Sequence, residues 1–427
     1  MKEKFLHFIW RFQLFDSLSL QTTDGTSIFV EEKGLWNKID SGPDFYMSKI
    51  RMDHQIWVGN VEIHVRSSDW DLHKHSSDKS YENIILHVVF EHDKEIEFLK
   101  SRNVKTLELK NYISQEVLVN YERLVEAGQN FIPCEKSIYL IKEDSVKFWL
   151  ERLVIERLER KTSEIEQEFL KSGKNWEELL FKKMAYAFGL KINAESFTLW
   201  ANSFSFKVLT KIQTKPDLVY ALFFGQAGFL DFETEENYVS NLKKDYSFLQ
   251  SKFDLNPLDK SVFKFFRLRP PSFPTVRMMQ LAALYGHYQN VFMFLMGTKD
   301  IEKIRQVFRD LNYPEFWKNH FTLEKESPVY SDKEISDELI DRIIINVILP
   351  LKFVYAKHRA ADVSDELLEG LRILPPEKNT VIQEFSKLGL KAENAFESQA
   401  YLELKKHFCN EKKCLNCALG LQILKNV

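Results

Sequence analysis

FYMSKIRMDHQIWVGNVEIHV, residues 45–65, carries the pattern on which the fold turns. Its β-branched and aromatic residues recur with a period of two on either side of Asp53-His54, which reads as two strands joined by a tight turn and laid antiparallel. In the second strand the period places Glu62 and His64 on one face and Val61, Ile63 and Val65 on the other, buried face. NIILHVVFEHD (83–93) and VKTLEL (104–109) read as further strands. Upstream, LSLQT and TSIFVEE flank Asp24-Gly25 as a hairpin, and MKEKFLHFIWRFQLFDS sets Phe5, Phe8, Ile9 and Phe12 at helical spacing. The expectation is a helix followed by a mixed sheet of about five or six strands.

From Asn111 onward the period changes. QEVLVNYERLVEAG, EDSVKFWLERLVIERLERKTSEIEQEFL and NWEELLFKKMAYAFG place apolar residues three and four apart with charges between them, as amphipathic helices do. The fold class is therefore α+β, with an α/β domain over 1–130 and a larger all-α domain over 131–427. The seam falls at Phe131–Cys134, where Gly128 ends one helix and Pro133 blocks direct continuation into the next.

The 427 residues are 44% hydrophobic and include 35 Phe and 8 Trp, enough for a sizeable core. A formal net charge of -3 rules out binding to nucleic acid by overall charge, so any such contact is local. Lys4, His7, Arg11 and Gln13 break the N-terminal apolar run, unlike a secretory signal. RIIINVILPLKFVYA, from Arg342, is too short for a bilayer and is interrupted by Pro350 and Lys352. A cytoplasmic protein without membrane partners is expected.

Six of the 11 histidines lie between Ser41 and Asp93, among Asp44, Glu62, Asp69, Asp71, Asp78 and Asp93. Asp44, at the start of one strand, would lie beside Glu62 on the next. Two carboxylates on adjacent strands suit Mg²⁺ or Mn²⁺, and His64 would assist the attacking water. In SSDWDLHKHSSD, a polar loop or short helix, His73-X-His75 is a candidate zinc chelate with Asp69 in support; solvated, turn-capping residues are the plainer reading. His87, inside ILHVVF, reads as a hydrogen-bonded core histidine.

Pro43-Asp44 followed by Glu62-Ile63-His64 resembles the PD-(D/E)XK nuclease superfamily, whose αβββαβ core carries Pro-Asp on one strand and Glu-X-Lys on the next. The resemblance implies a restriction-endonuclease-like sheet and metal-dependent hydrolysis of DNA or RNA. This sequence departs from the pattern by placing histidine where the family has lysine, so a lasting positive charge is lost. Some members carry a further metal-binding acid on the first helix; here Glu3 stands at its very start, with Glu31 or Glu32 as substitutes.

Cys409, Cys414 and Cys417 crowd the C-terminal end with the close spacing of thiolate metal sites. A fourth ligand, Cys134 or His407, would close a zinc or iron–sulfur site; some nucleases of the same superfamily use one distant and three C-terminal cysteines in this way. Four reduced, metal-free thiols are the alternative. FFRLRPPSFPTVRMMQLAALYG presents Arg267, Arg269 and Arg277 around a proline-stiffened turn, either as a nucleic-acid phosphate cradle or as partners of acids across a domain interface.

NKIDSGPDF, GNVEIHVRSSDWDLHKH, YENIILHVVFEHD, RLRPPSFPTVRMMQLAAL, LPPEKN and HFCNEKKCLNCALG together resemble, over nearly the whole chain, the bacterial family catalogued as domain of unknown function 2851. That resemblance implies no activity of its own. Three functions stand in order: a metal-dependent nuclease using Asp44, Glu62 and His64; a catalytically inactive nuclease-like scaffold binding nucleic acid or a protein; and a zinc hydrolase using His64, His73 and His75, which lacks the HExxH spacing.

Overall fold

The computed structural model describes residues 2–37, 41–125 and 130–425. The chain forms two compact units, Met1–Leu150 with Glu403–Val427, and Glu151–Leu402. The seam read at residue 130 therefore falls inside the first unit, together with the cysteine-bearing tail; Gly128 lies outside the described residues.

The first unit opens with α1 (Glu3–Phe12), whose Phe5, Leu6, Phe8, Ile9 and Trp10 are all buried. Then come β1 (Ile28–Glu32), β2 (Leu35–Trp36), β3 (Phe45–Met52) and β4 (Gln55–Arg66). The short helix α2 (Asp69–Leu72) and two 3₁₀ turns lead to β5 (Ile84–Glu91), and α3 (Glu97–Ser101) leads to β6 (Lys105–Glu108). The sheet runs β1-β3-β4-β5-β6, with β2 pairing β3. β3 is antiparallel to β1 and β4, whereas β5 is parallel to β4 and β6. A mixed sheet followed by a large helical region is thus the architecture, and the class is α+β.

The β3–β4 turn is the two-residue Asp53-His54 connection, with Asp53 at φ 49°. Asx residues tolerate that left-handed conformation best among those with side chains. The hairpin expected around Asp24-Gly25 shrinks to an isolated bridge, Gln21 to Ser27. On the free edge of β1, away from its partner β3, the Ile28 N–H donates to the Leu20 carbonyl and the Thr22 N–H to the Thr26 carbonyl, so the arm pairs only around the turn and Leu18 stays exposed.

Two irregularities frame the central strand. The β3–β4 register shifts between Phe45 and Ser48, where Met47 adopts φ 54°, and the β4–β5 register shifts between Asn60 and Val61. Bulges re-aim the side chains beside them. Gly59 is required by close approach: a Cβ there would stand 2.4 Å from Ile85 Cγ2 and 2.9 Å from the Asn83 carbonyl.

The second unit is helical. Its Pro216–Gln226 and Pro274–His287 helices are buried along most of their length, and Phe181, Trp200 and Phe223 pack edge-on or tilted at its core. No helix among the described residues is long and apolar enough to cross a membrane.

Candidate metal centre

Asp44 and Glu62 lock onto each other's strands. The Asp44 backbone N–H donates to Glu62 Oε2 at 3.2 Å, and the Ile63 N–H donates to Asp44 Oδ2 at 2.9 Å. The same Oδ2 lies 3.2 Å from His7 Nε2, which stands 3.7 Å from Glu3 Oε1 one turn back along α1. Helix and hairpin therefore meet at the two acids.

The other oxygen of Glu62 faces imidazoles. Oε1 is 3.2 Å from His75 Nε2 and 3.7 Å from His64 Nε2, and these nitrogens are 3.2 Å apart. Behind them His64 Nδ1 meets His87 Nε2 at 2.9 Å; His87 is directly across the parallel ladder from Glu62. One ring nitrogen from each of His64, His73 and His75 lies within 4.8 Å of the other two.

The loop after β4 covers this face. Trp70 and Tyr81 join Ile84, Ile96 and Leu99 in a buried apolar cluster, and the Tyr81 ring lies 4.0 Å from that of His75. Trp70 packs edge-on against His64, His75 and His87. Glu62 and His64 are consequently only 5% and 1% exposed, so the face that the strand period leaves polar is roofed over.

Burial dictates the charge states. Burial first, then the neighbouring imidazoles, hold His64 down to about 2; His87 is held to about 3, again by burial first. His75 is also lowered, by burial, against the pull of Asp44, Asp78 and Glu3. Glu62 is pushed well above the carboxylate range by burial and then by the charge of Asp44, against the lowering effect of the Asp44 N–H. For His7 burial lowers the pKa, yet the hydrogen bond to Asp44 and its charge outweigh burial and raise it. Neutral imidazoles are the metal-binding form.

Other residues singled out in the sequence lie elsewhere. Asp69 accepts from the Arg66 N–H at 2.9 Å, Asp78 caps Ser80 at 2.8 Å and Asp93 accepts from the Ser68 N–H at 2.9 Å. These are loop-fixing roles. Glu31 pairs with Lys49 and Arg51, and Glu32 sits exposed opposite Lys49, well along β3 from Asp44. Neither supplies the further acid; Glu3 and His7 stand closer to it. The i, i+4 spacing of Glu3 and His7 on α1 was the available signal for His7, whereas the place of His87 beside Glu62 comes from the parallel pairing of β5 with β4.

In the second unit Arg267 and Arg269 are exposed. Arg277 is only 7% exposed and donates to Gln280 Oε1 at 2.9 Å, while Gln280 donates to the Lys333 carbonyl at 2.7 Å. Arg277 is thereby committed to the interior and does not share a surface cradle with the other two.

Cys134, Cys409, Cys414 and Cys417 are all free thiols of the first unit. Burial, then the proximity of Cys417 and Cys414, pushes Cys134 up to about 12; Cys414 rises to about 11, by burial and then Cys417. Cys409 is raised by burial and then by the other three. Cys134 precedes a 3₁₀ turn and Cys417 the last helix, Ala418–Lys425, so the fold returns the C-terminal tail to the neighbourhood of Cys134.

Among family models, one described as "Protein of unknown function (DUF2851)" matches residues 3–380. No curated protein and no solved structure matches the chain.

Proposed function

The chain belongs to the DUF2851 family, and for it we propose metal-dependent hydrolysis of nucleic-acid phosphodiester bonds at Asp44, Glu62 and His64. The observation that carries the reading is the mutual lock of Asp44 and Glu62 with His64 and His75 facing the second oxygen of Glu62. Two carboxyl groups held beside each other in a buried site repel when ionised, and a divalent ion relieves that repulsion. Mg²⁺ or Mn²⁺ bound there would polarise the phosphodiester and lower the pKa of the attacking water. Glu62 keeps one oxygen aimed at Asp44 and the other at the imidazoles. His7 orients the Asp44 carboxylate from the side of α1. His64 stays uncharged at neutral pH, so it does not take over the electrostatic role of the lysine it replaces.

A second reading, an inactive nuclease-like scaffold, draws on that missing charge and on the burial of Glu62 and His64. One assay separates the two. Cleavage of single- and double-stranded DNA and RNA is followed with Mg²⁺, Mn²⁺ and Zn²⁺ in wild type, Asp44→Ala and Glu62→Ala. The hydrolase reading expects turnover that falls at least about a hundredfold in either variant, the effect of losing several kcal/mol of charge stabilisation. Turnover indifferent to both substitutions would remove these residues from the chemistry, and no turnover with any ion favours the scaffold.

We further propose that Cys134, Cys409, Cys414 and Cys417 bind zinc or an iron–sulfur cluster, supported by the return of the tail to Cys134. Metal analysis and the absorption spectrum of anaerobically purified protein decide it; a folded, metal-free and colourless preparation is the contrary result.

A further inference from the structure

The imidazole side of Glu62 has a geometry that hydrogen bonding alone serves poorly. His64 Nε2, His75 Nε2 and Glu62 Oε1 form a triangle with edges of 3.2, 3.2 and 3.7 Å. Each imidazole nitrogen has a single in-plane direction for a proton or a lone pair, yet His75 Nε2 has two partners at 3.2 Å. A single proton or lone pair on that nitrogen points squarely at only one of them, whether Glu62 is ionised or not, so the other contact is poorly served. A cation at the centre satisfies all three at once. Nitrogen and oxygen ligands about 2.0–2.1 Å from a tetrahedral ion lie about 3.3 Å from one another, which is the size of this triangle.

We propose that His64, His73 and His75, with Oε1 of Glu62, form a tetrahedral site for a zinc-class divalent cation. The proposal deepens the hydrolase reading by naming the ion on the imidazole side of the same carboxylate, and it rests on that reading only for its use in catalysis. His73 supplies the fourth ligand: one of its ring nitrogens is within 4.8 Å of those of His64 and His75, and its exposed ring lies 5.1 Å from that of His64. His87 fixes the orientation of His64. With Nε2 of His64 on the ion, its Nδ1–H donates to His87 Nε2 at 2.9 Å, the outer hydrogen bond that metal-bound imidazoles characteristically make. Trp70 and Tyr81 wall the site and limit water. Three imidazoles and one carboxylate favour zinc or cobalt over magnesium, which prefers oxygen ligands. Oε2 of Glu62 remains with Asp44, so the oxygen site and the imidazole site are adjacent and separable.

Co²⁺ titration of the chelator-treated full chain tests the assignment, because tetrahedral Co²⁺ absorbs in the visible and thiolate ligation adds intense near-ultraviolet bands that imidazole ligation lacks. The expected result, in full chain whose four cysteines are blocked by alkylation, is one equivalent of Co²⁺ with visible bands, no thiolate signature and displacement by Zn²⁺. His73→Ala, an exposed change that spares the fold, and His75→Ala should each weaken binding more than tenfold, and His87→Phe about tenfold. Asp44→Ala should retain the bands. The assignment is overturned if the bands survive both His73→Ala and His75→Ala, if Asp44→Ala abolishes them, or if no such bands form. Intact bands in a protein that cleaves no nucleic acid would support the site while sinking the phosphodiester reading alone.

Discussion

The imidazole cluster and the thiol cluster occupy the same unit, and burial drives them in opposite directions. Removing an imidazole from water disfavours its cation, so His64 and His87 are held neutral. Removing a thiol from water disfavours its anion, so Cys134 and Cys414 are held protonated. Neutral imidazole is already the ligand, whereas a thiol must first lose a proton. The two sites therefore differ in readiness: metal entering the first displaces no proton from its imidazoles and only that held by Glu62, whereas the second must release a proton from each thiol it uses.

The largest expected contrast is in stability against pH for the metal-free protein. A depressed histidine pKa contributes stability that is present above about 6.5 and lost as the pH falls toward the folded-state value. His64 and His87 thus each lower stability by about 1.4 kcal/mol per pH unit on the acid side, with His75 adding in the same direction. Glu62 runs the other way: its folded-state pKa is raised, so its contribution is present at low pH and lost as the pH climbs above the ordinary carboxylate value. Between about 4.5 and 6.5 it offsets one histidine; below that range both histidines act unopposed. Urea unfolding from pH 8 down to 3.5 should show this steepening, and His87→Phe should take about 1.4 kcal/mol per pH unit off the slope at its acid end. An unchanged slope in that variant would mean His87 is not held neutral by the fold.

On the alkaline side the share of a single thiol can be isolated. Cys134 has a raised pKa, so its contribution is present below about 9 and lost as the pH rises toward 12, by about 1.4 kcal/mol per unit. Cys134→Ala should take about 1.4 kcal/mol per pH unit off this limb in the metal-free protein, leaving the shares of Cys409 and Cys414. If metal-loaded protein loses stability there as steeply as metal-free protein does, the thiols are not its ligands.

How these clusters arise was only partly legible in the sequence. The period-two run bounded β3 and β4 and located the Asp53-His54 turn, because alternation is imposed directly by the pleat. It also put Asp44 on the strand next to that of Glu62, but the pairing of the two acids depends on the bulge between Phe45 and Ser48, which shifts by one residue the register that the turn alone would set. The same alternation left Glu62 and His64 on a face taken to be polar, and the roof over it comes from Trp70 and Tyr81, whose docking depends on a tertiary cluster with Ile84, Ile96 and Leu99. His87 read as a core histidine with a hydrogen-bond partner; that the partner is His64 follows from a parallel register set by the crossover between β4 and β5. The upstream hairpin arm had strand-like residues but pairs with the chain before and at the start of β1 only around its turn, from Leu20 to Ile28. Arg277 looked like its exposed neighbours, although the helix it enters is buried on nearly every side.

The smallest expected effect isolates ligation from packing. His73 is exposed and has no packing role comparable to that of His87, so His73→Ala should change the stability of metal-free protein by no more than about 0.5 kcal/mol, the range of ordinary surface substitutions. In the presence of Zn²⁺ the picture changes, because an ion bound only to the folded state adds RT ln(1 + [L]/Kd) to stability. A tenfold loss of affinity then appears as about 1.4 kcal/mol less zinc-dependent stabilisation at saturating ion. Thermal melts of wild type and His73→Ala, with chelator and with Zn²⁺, read both quantities. Coincident curves in chelator and divergent curves in zinc identify His73 as a ligand; curves that diverge equally in both would make it a packing residue.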